Sequence, residues 1–187
     1  NTIVVLTSGA PLLMNSWIDQ IPAIVQTFYY GQEGGNAIAD ILVGKVSPSG
    51  KLPATFLKRW EDSPAFRDYP GDGQRLEYRE GIFVGYRWFD AKKIEPLFPF
   101  GHGLSYSKFK YSKLKVMYSK NEAATVQFEV ENTGEFDAAE VTQIYVEDVQ
   151  SSLPRPTTAP PHAQPARAST PPRPDPPYPH LPAPAQT

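Results

Sequence analysis

Glu33 is the first residue whose type and position could support acid–base chemistry. It lies in the glycine-rich stretch FYYGQEGGNAIADILVGKVSPSGKLPATF, residues 28–56, just beyond a predicted strand. Ligands of parallel α/β sheets bind beyond the carboxyl ends of the strands, so Glu33 is a candidate acid/base. Glu77, Glu80 and Asp90 are further carboxylate candidates. Lysines and arginines are common in the same region, and we therefore favour ordinary surface ion pairs for these three.

Two glycine-containing stretches could bind an anion. GKVSPSGK, residues 44–51, is close to a phosphate-binding loop, but it has one residue too many between its glycines. Leu52 also stands where a Ser or Thr would hold magnesium, so we predict a turn. Free NH groups at Gly34 and Gly35 begin a predicted helix and could also hold an anion. Glu33 already supplies negative charge there, so compensation of the helix dipole is the preferred interpretation.

His102 and Ser105 could form a hydrolase pair, because both lie in the short stretch GHGLSY. No G-x-S-x-G elbow is present, however, and no acid is obviously placed to orient the imidazole. We therefore predict a structural role for His102, in which the ring hydrogen-bonds the backbone of a turn.

Apolar runs predict the elements that position these residues. The predicted strands are Ile3–Leu6, 23–28 and 52–56, and the predicted helices are 12–20 and the stretch from Asn36 to a left-handed Gly44. Their alternation predicts right-handed crossovers and a parallel sheet, of which about half is present. Ile3–Leu6 is apolar enough for burial on both faces. Because the covering elements are missing, we expect an exposed apolar face that promotes self-association.

The second half of the chain predicts β structure after an irregular loop at 57–79. GIFVGYRWFD, residues 81–90, is rich in aromatic and β-branched residues and predicts an extended segment. An aromatic face can stack on a sugar ring, but packing is the preferred explanation. Three further strands are predicted at 109–118, 124–131 and 140–148. In the second of them Val126, Phe128 and Val130 alternate with polar residues, which indicates an antiparallel sheet, and we expect this apolar face to be uncovered.

Composition excludes some classes of function. The chain has 187 residues, a net charge of −2 and no cysteine, which argues against a nucleic-acid partner and excludes thiol chemistry. No apolar run is long enough for a membrane helix. The first residues indicate the middle of a domain, so we expect a fragment. Its compartment, cytoplasmic or secreted, stays open.

Residues 157–187 differ in composition from the rest of the chain. Pro, Ala, Thr, Arg and Ser dominate them, and large apolar side chains are almost absent, so we predict a disordered or polyproline-II tail. RPDPPYP, residues 173–179, fits the Arg-x-x-Pro-x-x-Pro pattern of an SH3 ligand. In a tail this rich in proline, such a match is expected by chance.

Three strings carry a resemblance to a known family. GQEGGNAIADILVGKVSPSGKLP, PLFPFGHGLSY and VQFEVENTGEFDAAEVTQIYVEDVQSSLPRP resemble glycoside hydrolase family 3, the β-glucosidase-like enzymes. The resemblance implies an α/β fold class: residues 1–106 are the C-terminal part of a parallel-sheet α/β/α sandwich domain. Residues 107–156 are then the first strands of an incomplete antiparallel immunoglobulin or fibronectin type III-like β-sandwich. The Pro-rich tail, 157–187, departs from the family pattern.

The resemblance also implies a reaction. Family members are retaining hydrolases of terminal β-D-glucosyl residues and use two carboxyl groups roughly 5 Å apart. The family's nucleophile is an Asp on an N-terminal (β/α)8 barrel, and its acid/base Glu lies in a segment upstream of residue 1. Neither matches a position of this chain, so we assign no catalytic, cofactor-binding or metal-binding residue. Glu33 remains the only tempting substitute.

The implied partners are a β-glucoside or oligosaccharide substrate and the barrel domain, with no nucleic acid and no membrane. A homo-oligomer of the intact enzyme stays open. Three interpretations of the chain follow: the C-terminal piece of a β-glucosidase that is inactive alone, an independent sugar-binding or interaction module, or a scaffold whose tail recruits an SH3-type partner.

Overall fold

The computed structural model describes residues 2–118, 124–145 and 166–168. Two short 3-10 helices, Ile18–Gln20 and Trp60–Asp62, accompany the regular elements. None of the helices in the described residues is long and apolar enough to cross a membrane. In chain order, the regular elements are β1 (Ile3–Leu6), β2 (Ala23–Gln26), α1 (Gly34–Leu42), α2 (Tyr86–Lys92), β3 (Phe109–Tyr118), β4 (Ala124–Asn132), β5 (Glu140–Thr142) and β6 (Ala166–Ala168).

Strands β1 and β2 form a two-stranded parallel sheet, in which Ile3 lies opposite Ala23 and Leu6 opposite Gln26. The predicted parallel pairing is confirmed. Burial on both faces is not found, because Ile3 is 53% exposed and Val5 is 37% exposed. Elements that would cover this face are not among the described residues. The sheet therefore presents the exposed apolar face that the sequence predicted.

Helix α1 begins at Gly34, two residues before the predicted start. Its last turn is closed by two backbone hydrogen bonds: the NH of Val43 donates to Ala39 O and the NH of Gly44 donates to Ile41 O, both at 3.0 Å. Gly44 follows with φ +73°, the left-handed conformation predicted for it. The predicted helix at 12–20 is wrong except for its end, where Ile18–Gln20 forms a 3-10 turn.

The predicted strand at 52–56 is not part of the parallel sheet. Phe56 instead makes an isolated antiparallel bridge with Phe98, and the backbone NH of Leu52 donates to His102 O at 2.8 Å. Pro53 has no NH to donate, which prevents a continuous ladder. Phe56 is 1% exposed and, with Met14 and Phe89, makes up the fully buried apolar core of the described residues.

The extended segment predicted at 81–90 is also wrong, because its second half is helix α2. Its first half is not a strand either, since the NH of Phe83 donates to Glu80 O in a turn, and Gly85, with φ +57°, directly precedes the helix. Tyr86 and Phe89 are then one helical turn apart, so both face the interior, and Phe89 is 5% exposed. Helical spacing hidden in an aromatic run explains the error.

Strands β3 and β4 form an antiparallel hairpin with an irregular register between Ser112 and Lys115. Side chains along β4 alternate between half-buried and exposed as predicted. Val126, Phe128 and Val130 are half-buried, so the expectation that this face is fully uncovered is wrong. The ring of Tyr111 on β3, 6.1 Å from that of Phe128, contributes to its cover.

The predicted strand at 140–148 is shorter in the structure, since β5 ends at Thr142 and residues 146–148 lie outside the described residues. β6 pairs antiparallel with β5, so the prediction of an irregular tail is wrong for Ala166–Ala168. This triplet lies in a stretch without proline, ARAST, whose NH groups can enter a ladder. Residues 157–165 and 169–187, including the SH3-like motif, lie outside the described residues. The described residues thus form an α/β fold of small sheets and few helices.

Candidate functional site

The carboxyl ends of β1 and β2 carry a cluster of hydroxyl and amide groups. Thr7 Oγ1 lies 3.1 Å from Thr27 Oγ1, and Gln26 Nε2 donates to Ser8 Oγ at 3.2 Å. Ser8 Oγ in turn donates to Ala10 O at 2.9 Å. These bonds tie the two strand ends together. This is the edge at which the sequence predicted a ligand, and its polar groups are largely occupied by one another.

Glu33 is exposed and occupies the N-cap position of α1. Its Oε2 accepts a hydrogen bond from Asn36 Nδ2 at 2.5 Å. A negative charge at this end of a helix is favourable because the helix dipole is positive there. The contacts therefore support the dipole interpretation of Glu33.

Two of the other carboxylate candidates lie in different surroundings. Glu77 is bonded by Arg79 Nε at 2.8 Å, and the same guanidinium lies 3.4 Å from Asp68. Arg79 and Glu77 are exposed whereas Asp68 is largely buried, so the pair of Glu77 with Arg79 is the surface ion pairing that the sequence predicted. Asp90 is different, since it lies on α2 and lines a cavity described below.

The stretch at residues 44–51 is a structural loop, as predicted. Ser47 Oγ lies 2.9 Å from Ser105 Oγ and accepts a hydrogen bond from the NH of Tyr106 at 3.0 Å. Lys51 Nζ donates to Gly103 O at 2.9 Å and forms an ion pair with Glu140 at 3.2 Å. The lysine of the phosphate-loop lookalike is therefore engaged within the protein.

His102 stacks on Phe98, with ring centroids 5.1 Å apart. Its backbone NH donates to Pro99 O at 3.1 Å and closes a turn. Ser105 is held by Ser47, and its Oγ also accepts from the NH of Ser107 at 3.2 Å. His102 thus lies in a turn and packs against an aromatic ring, but the predicted hydrogen bond from its ring to the turn backbone is not among the contacts of the described residues.

Residues 96–107, hereafter the connecting segment, bind both halves of the chain. Towards the first half, Tyr106 OH donates to Ile41 O at 2.9 Å. Towards the second half, Ser107 Oγ donates to Asn132 Oδ1 at 2.5 Å and Gln143 Nε2 donates to Gly101 O at 3.3 Å. The segment thereby fixes β4 and the residues after β5 against the core.

A cavity of about 290 Å³ lies between helix α2, the connecting segment and Tyr145. No pattern in the sequence predicts it, although the aromatic run at residues 81–90 supplies part of its wall. The ring of Tyr86 packs 5.0 Å from that of Phe100 and 5.9 Å from that of Tyr145. The lining residues are Thr55, Tyr86, Phe89, Asp90, Pro96, Pro99, Phe100 and Tyr145.

The polar groups of this cavity are unusual in their bonding. Thr55 is only 8% exposed, and neither its Oγ1 nor the hydroxyl of Tyr86 has a hydrogen-bond partner among the described residues. Burial raises the pKa of the Tyr145 phenol, and the nearby Tyr86 and Asp90 raise it further. The cavity wall is therefore mainly aromatic, and the two unpartnered hydroxyls lie beneath its accessible surface.

A second, more open depression of about 860 Å³ lies near the 3-10 helix Trp60–Asp62. Charged side chains dominate it and pair with one another: Lys58 Nζ lies 2.7 Å from Glu95, and Arg59 lies 2.7 Å from Asp62. The hydrogen bond from Lys58, together with its charge, lowers the pKa of Glu95. No three His, Asp or Glu side chains of the described residues come together as metal ligands would.

Comparison with known proteins identifies similar sequences. The family described as "Glycosyl hydrolase family 3 C-terminal domain" matches residues 1–106. The thermostable β-glucosidase B of Acetivibrio thermocellus is 47% identical over 159 residues, which cover 83% of this chain and 21% of that protein. The β-glucosidase BoGH3A of Bacteroides ovatus is 45% identical over 163 residues, with 83% and 22% covered. The chain thus spans about a fifth of the length of these relatives.

Solved structures agree with the sequence comparison. β-Glucosidase 3B from Thermotoga neapolitana in complex with glucose superposes with a TM-score of 0.80 at 39% identity, covering 84% of this chain and 22% of that one. A β-glucosidase from Bifidobacterium adolescentis gives a TM-score of 0.84 at 35% identity, covering 89% and 25%. The similarity extends beyond residue 106 and so includes part of the second half of the chain.

Proposed function

This chain belongs to glycosyl hydrolase family 3, whose C-terminal domain it carries, and we propose that it acts as the C-terminal portion of a β-glucosidase. The proposed whole enzyme removes terminal non-reducing β-D-glucosyl residues by the retaining mechanism. The observation that carries this proposal is the 47% identity to a protein named as a β-glucosidase over 83% of the chain.

The proposed contribution of this chain is architectural. Retaining hydrolysis needs a nucleophilic and an acid/base carboxyl group, which the family places outside the segments matched here. Within the chain, the contacts of Glu33 with Asn36 and of Glu77 with Arg79 support a surface role for both carboxylates. We therefore propose that no residue of this chain enters the chemistry, and that a barrel domain supplies the nucleophile.

We further propose that the chain consists of three parts. Residues 1–106 complete a parallel-sheet α/β/α sandwich, and the parallel pair β1–β2 and the family match over the same residues support this division. Residues 107–156 begin a fibronectin type III-like sandwich, which the antiparallel hairpin β3–β4 supports. Residues 157–187 form the Pro-rich tail. Oligomerisation of the whole enzyme also stays a proposal.

A chimera tests the proposed function. Residues 1–156 would replace the matching region of the Acetivibrio thermocellus relative, and hydrolysis of a chromogenic aryl β-glucoside would be measured. We expect the chimera to hydrolyse the substrate, whereas the relative without this region and the isolated chain should not. A well-folded chimera without turnover would contradict the proposal.

Glu33→Gln in the chimera serves as the matched variant for the chemistry. Because Glu33 is exposed and bonded to Asn36, we expect kcat to stay unchanged. A large loss of kcat with unchanged folding would make Glu33 a catalytic residue. Purified isolated chain that hydrolyses the substrate and loses this activity on Glu33→Gln would lead to the same conclusion.

A further inference from the structure

The turn that follows strand β2 carries two exposed tyrosines at the edge of the parallel sheet. Tyr29 is 80% exposed and Tyr30 is 50% exposed, and both come soon after Gln26, the last residue of β2. Ligands of open parallel sheets bind beyond the carboxyl ends of the strands, which is where these rings lie. We propose that Tyr29 and Tyr30 form a stacking platform for a neutral pyranose ring, the leaving-group sugar of a β-glucoside.

Each of the two rings rests against a glycine, which fixes its position. A Cβ added to Gly9, soon after β1, would lie 2.7 Å from Cε2 of Tyr29 and 3.2 Å from its hydroxyl oxygen. A Cβ added to Gly34, at the start of α1, would collide with the ring of Tyr30. The backbone at these two glycines therefore positions the rings, while much of their surface stays exposed. Because Tyr29 reaches Gly9, the platform spans the ends of both strands.

The backbone immediately before the two tyrosines is strained. Phe28 has φ +53°, a conformation that bulky residues rarely adopt. The turn is tied to β1 just before this point, because the NH and the Oγ1 of Thr27 both donate to Leu6 O at 2.9 Å. Strained residues persist only where the surrounding structure enforces them, and they cluster at ligand sites. The strain at Phe28 therefore agrees with a binding role for the rings that follow it.

The surroundings of the platform favour a neutral ligand that is recognised through an apolar face. Residues 7–15 and 26–36 include no lysine or arginine, and Glu33 adds a negative charge, so anions are disfavoured. The hydroxyl and amide groups at the strand ends are largely bonded to one another. A pyranose ring presents C–H groups, whose slight positive charge matches the negative face of an aromatic ring. A sugar ring stacked on the tyrosines satisfies these conditions.

The choice of the leaving-group sugar rests on the proposed function. In that proposal, the two carboxyl groups of the retaining mechanism belong to segments outside this chain, so the glucosyl ring that reacts is held there. Of the two rings of a disaccharide substrate, the one that remains for Tyr29 and Tyr30 is the leaving group. The platform then determines which β-glucosides the enzyme prefers and takes no part in the chemistry.

Saturation-transfer NMR of the full chain with cellobiose tests the platform directly. The signals are read on the sugar, so self-association of the chain does not hide them. Tyr29→Ala and Tyr30→Ala each remove one ring, whereas Tyr29→Phe and Tyr30→Phe keep it. Tyr118→Ala is the matched control, because Tyr118 is also 80% exposed but lies at the end of β3.

We expect saturable binding of cellobiose that each alanine variant weakens about two- to tenfold, the effect of losing one aromatic contact. The phenylalanine variants and Tyr118→Ala should bind as the original chain does. Absence of saturable binding, unchanged binding by the alanine variants, or an equal loss in Tyr118→Ala would overturn the proposal. Stronger binding of methylguanidinium than of cellobiose would also overturn it, because the rings would then hold a cation.

Two glycine variants test whether the position of the Tyr30 ring matters. Gly34→Ala should weaken the binding of cellobiose as much as Tyr30→Ala does, because the new Cβ displaces that ring. Gly35→Ala is the matched control at the same end of α1, since a Cβ there would meet nothing within 4 Å. Equal binding by the two glycine variants would contradict the platform geometry.

Kinetics of the chimera separate the platform from the proposed function. Tyr29→Ala and Tyr30→Ala should each raise KM for cellobiose about two- to tenfold. KM for methyl β-D-glucopyranoside, whose leaving group has no ring, should stay unchanged. Equal changes for both substrates, or a lower melting temperature with unchanged KM, would overturn the proposal, because the tyrosines would then only support the fold. An inactive chimera would count against the proposed function, and sugar binding by the full chain would still decide about the platform.

Discussion

The ion pair between Lys51 and Glu140 joins the first half of the chain to strand β5, and breaking it should loosen that junction. Lys51 Nζ lies 3.2 Å from Glu140 Oε2, and the two side chains are 14% and 13% exposed. Lys51 also donates to Gly103 O, and Glu140 accepts from Tyr111 OH. The perturbation is Lys51→Met, Glu140→Gln, and both together.

The expected magnitude follows from burial. Removing one partner of a buried pair costs about 3–5 kcal/mol, because the remaining charge stays uncompensated. Both side chains keep some exposure, so we expect about 2–3 kcal/mol for Lys51→Met, between the buried and exposed limits. The double variant should lose less than the sum of the single variants, because neither charge is then left alone.

Lys113 and Glu129 provide the control pair. Their distance of 2.8 Å is shorter, but the side chains are 68% and 59% exposed. Exposed pairs contribute about 0.2–1 kcal/mol. If distance decided the coupling energy, the Lys113–Glu129 pair would be the stronger; if burial decides it, the Lys51–Glu140 pair is the stronger. For each pair, urea unfolding of the original chain, the two single variants and the double variant gives the coupling energy. The measurements are made under conditions in which sedimentation shows a monomer. A coupling for Lys51 and Glu140 no larger than that of the control pair would refute the reasoning.

Three further predictions concern packing, backbone strain and pH. Phe56→Ala should cost about 3–5 kcal/mol in urea unfolding, far more than Phe136→Ala, because Phe56 is 1% and Phe136 47% exposed. Gly101→Ala should lower the free energy of unfolding by at least about 1–2 kcal/mol, because φ at this position is +80°. The new Cβ would also lie 2.2 Å from Gln143 Nε2, and adding Gln143→Ala should remove only the cost of this clash. Burial raises the pKa of Tyr145 in the folded state, so the folded protein favours the protonated phenol. The stability that this phenol contributes is present below pH 10 and is lost as the pH rises through the raised pKa. Tyr145→Phe should therefore flatten the alkaline fall in melting temperature, and an unchanged fall would contradict this.

Local patterns in the sequence were sufficient for several elements. The pairing of β1 with β2 follows from two apolar runs separated by a crossover, and alternation along β4 follows from Val126, Phe128 and Val130. Gly44 marks the end of α1 because few other residues adopt its backbone conformation without strain. Each of these signals lies within a few residues of the element that it predicts.

The errors occur where distant contacts decide the structure. Residues 52–56 have the composition of a strand, but their partner is the connecting segment rather than the parallel sheet. The aromatic spacing of α2 fits a strand or a helix, and packing of Tyr86 against Phe100 decides between them. The cavity could not be predicted, because Thr55, Tyr86 and Tyr145 are far apart in the sequence and meet only through the fold.

The connecting segment has a consequence for the order in which the protein acquires its structure. Its bonds reach back over long separations: 52 residues from Gly103 to Lys51, 58 from Ser105 to Ser47 and 65 from Tyr106 to Ile41. A ribosome adds about 5–20 residues per second, so roughly 3–10 s pass between synthesis of Lys51 and synthesis of its acceptor at Gly103. During this interval the end of α1 and the loop after it lack these contacts, and contacts so distant in sequence also form slowly. The nascent chain is therefore most vulnerable to aggregation just before the connecting segment emerges, and a slow codon downstream of residue 107 would favour its correct closure.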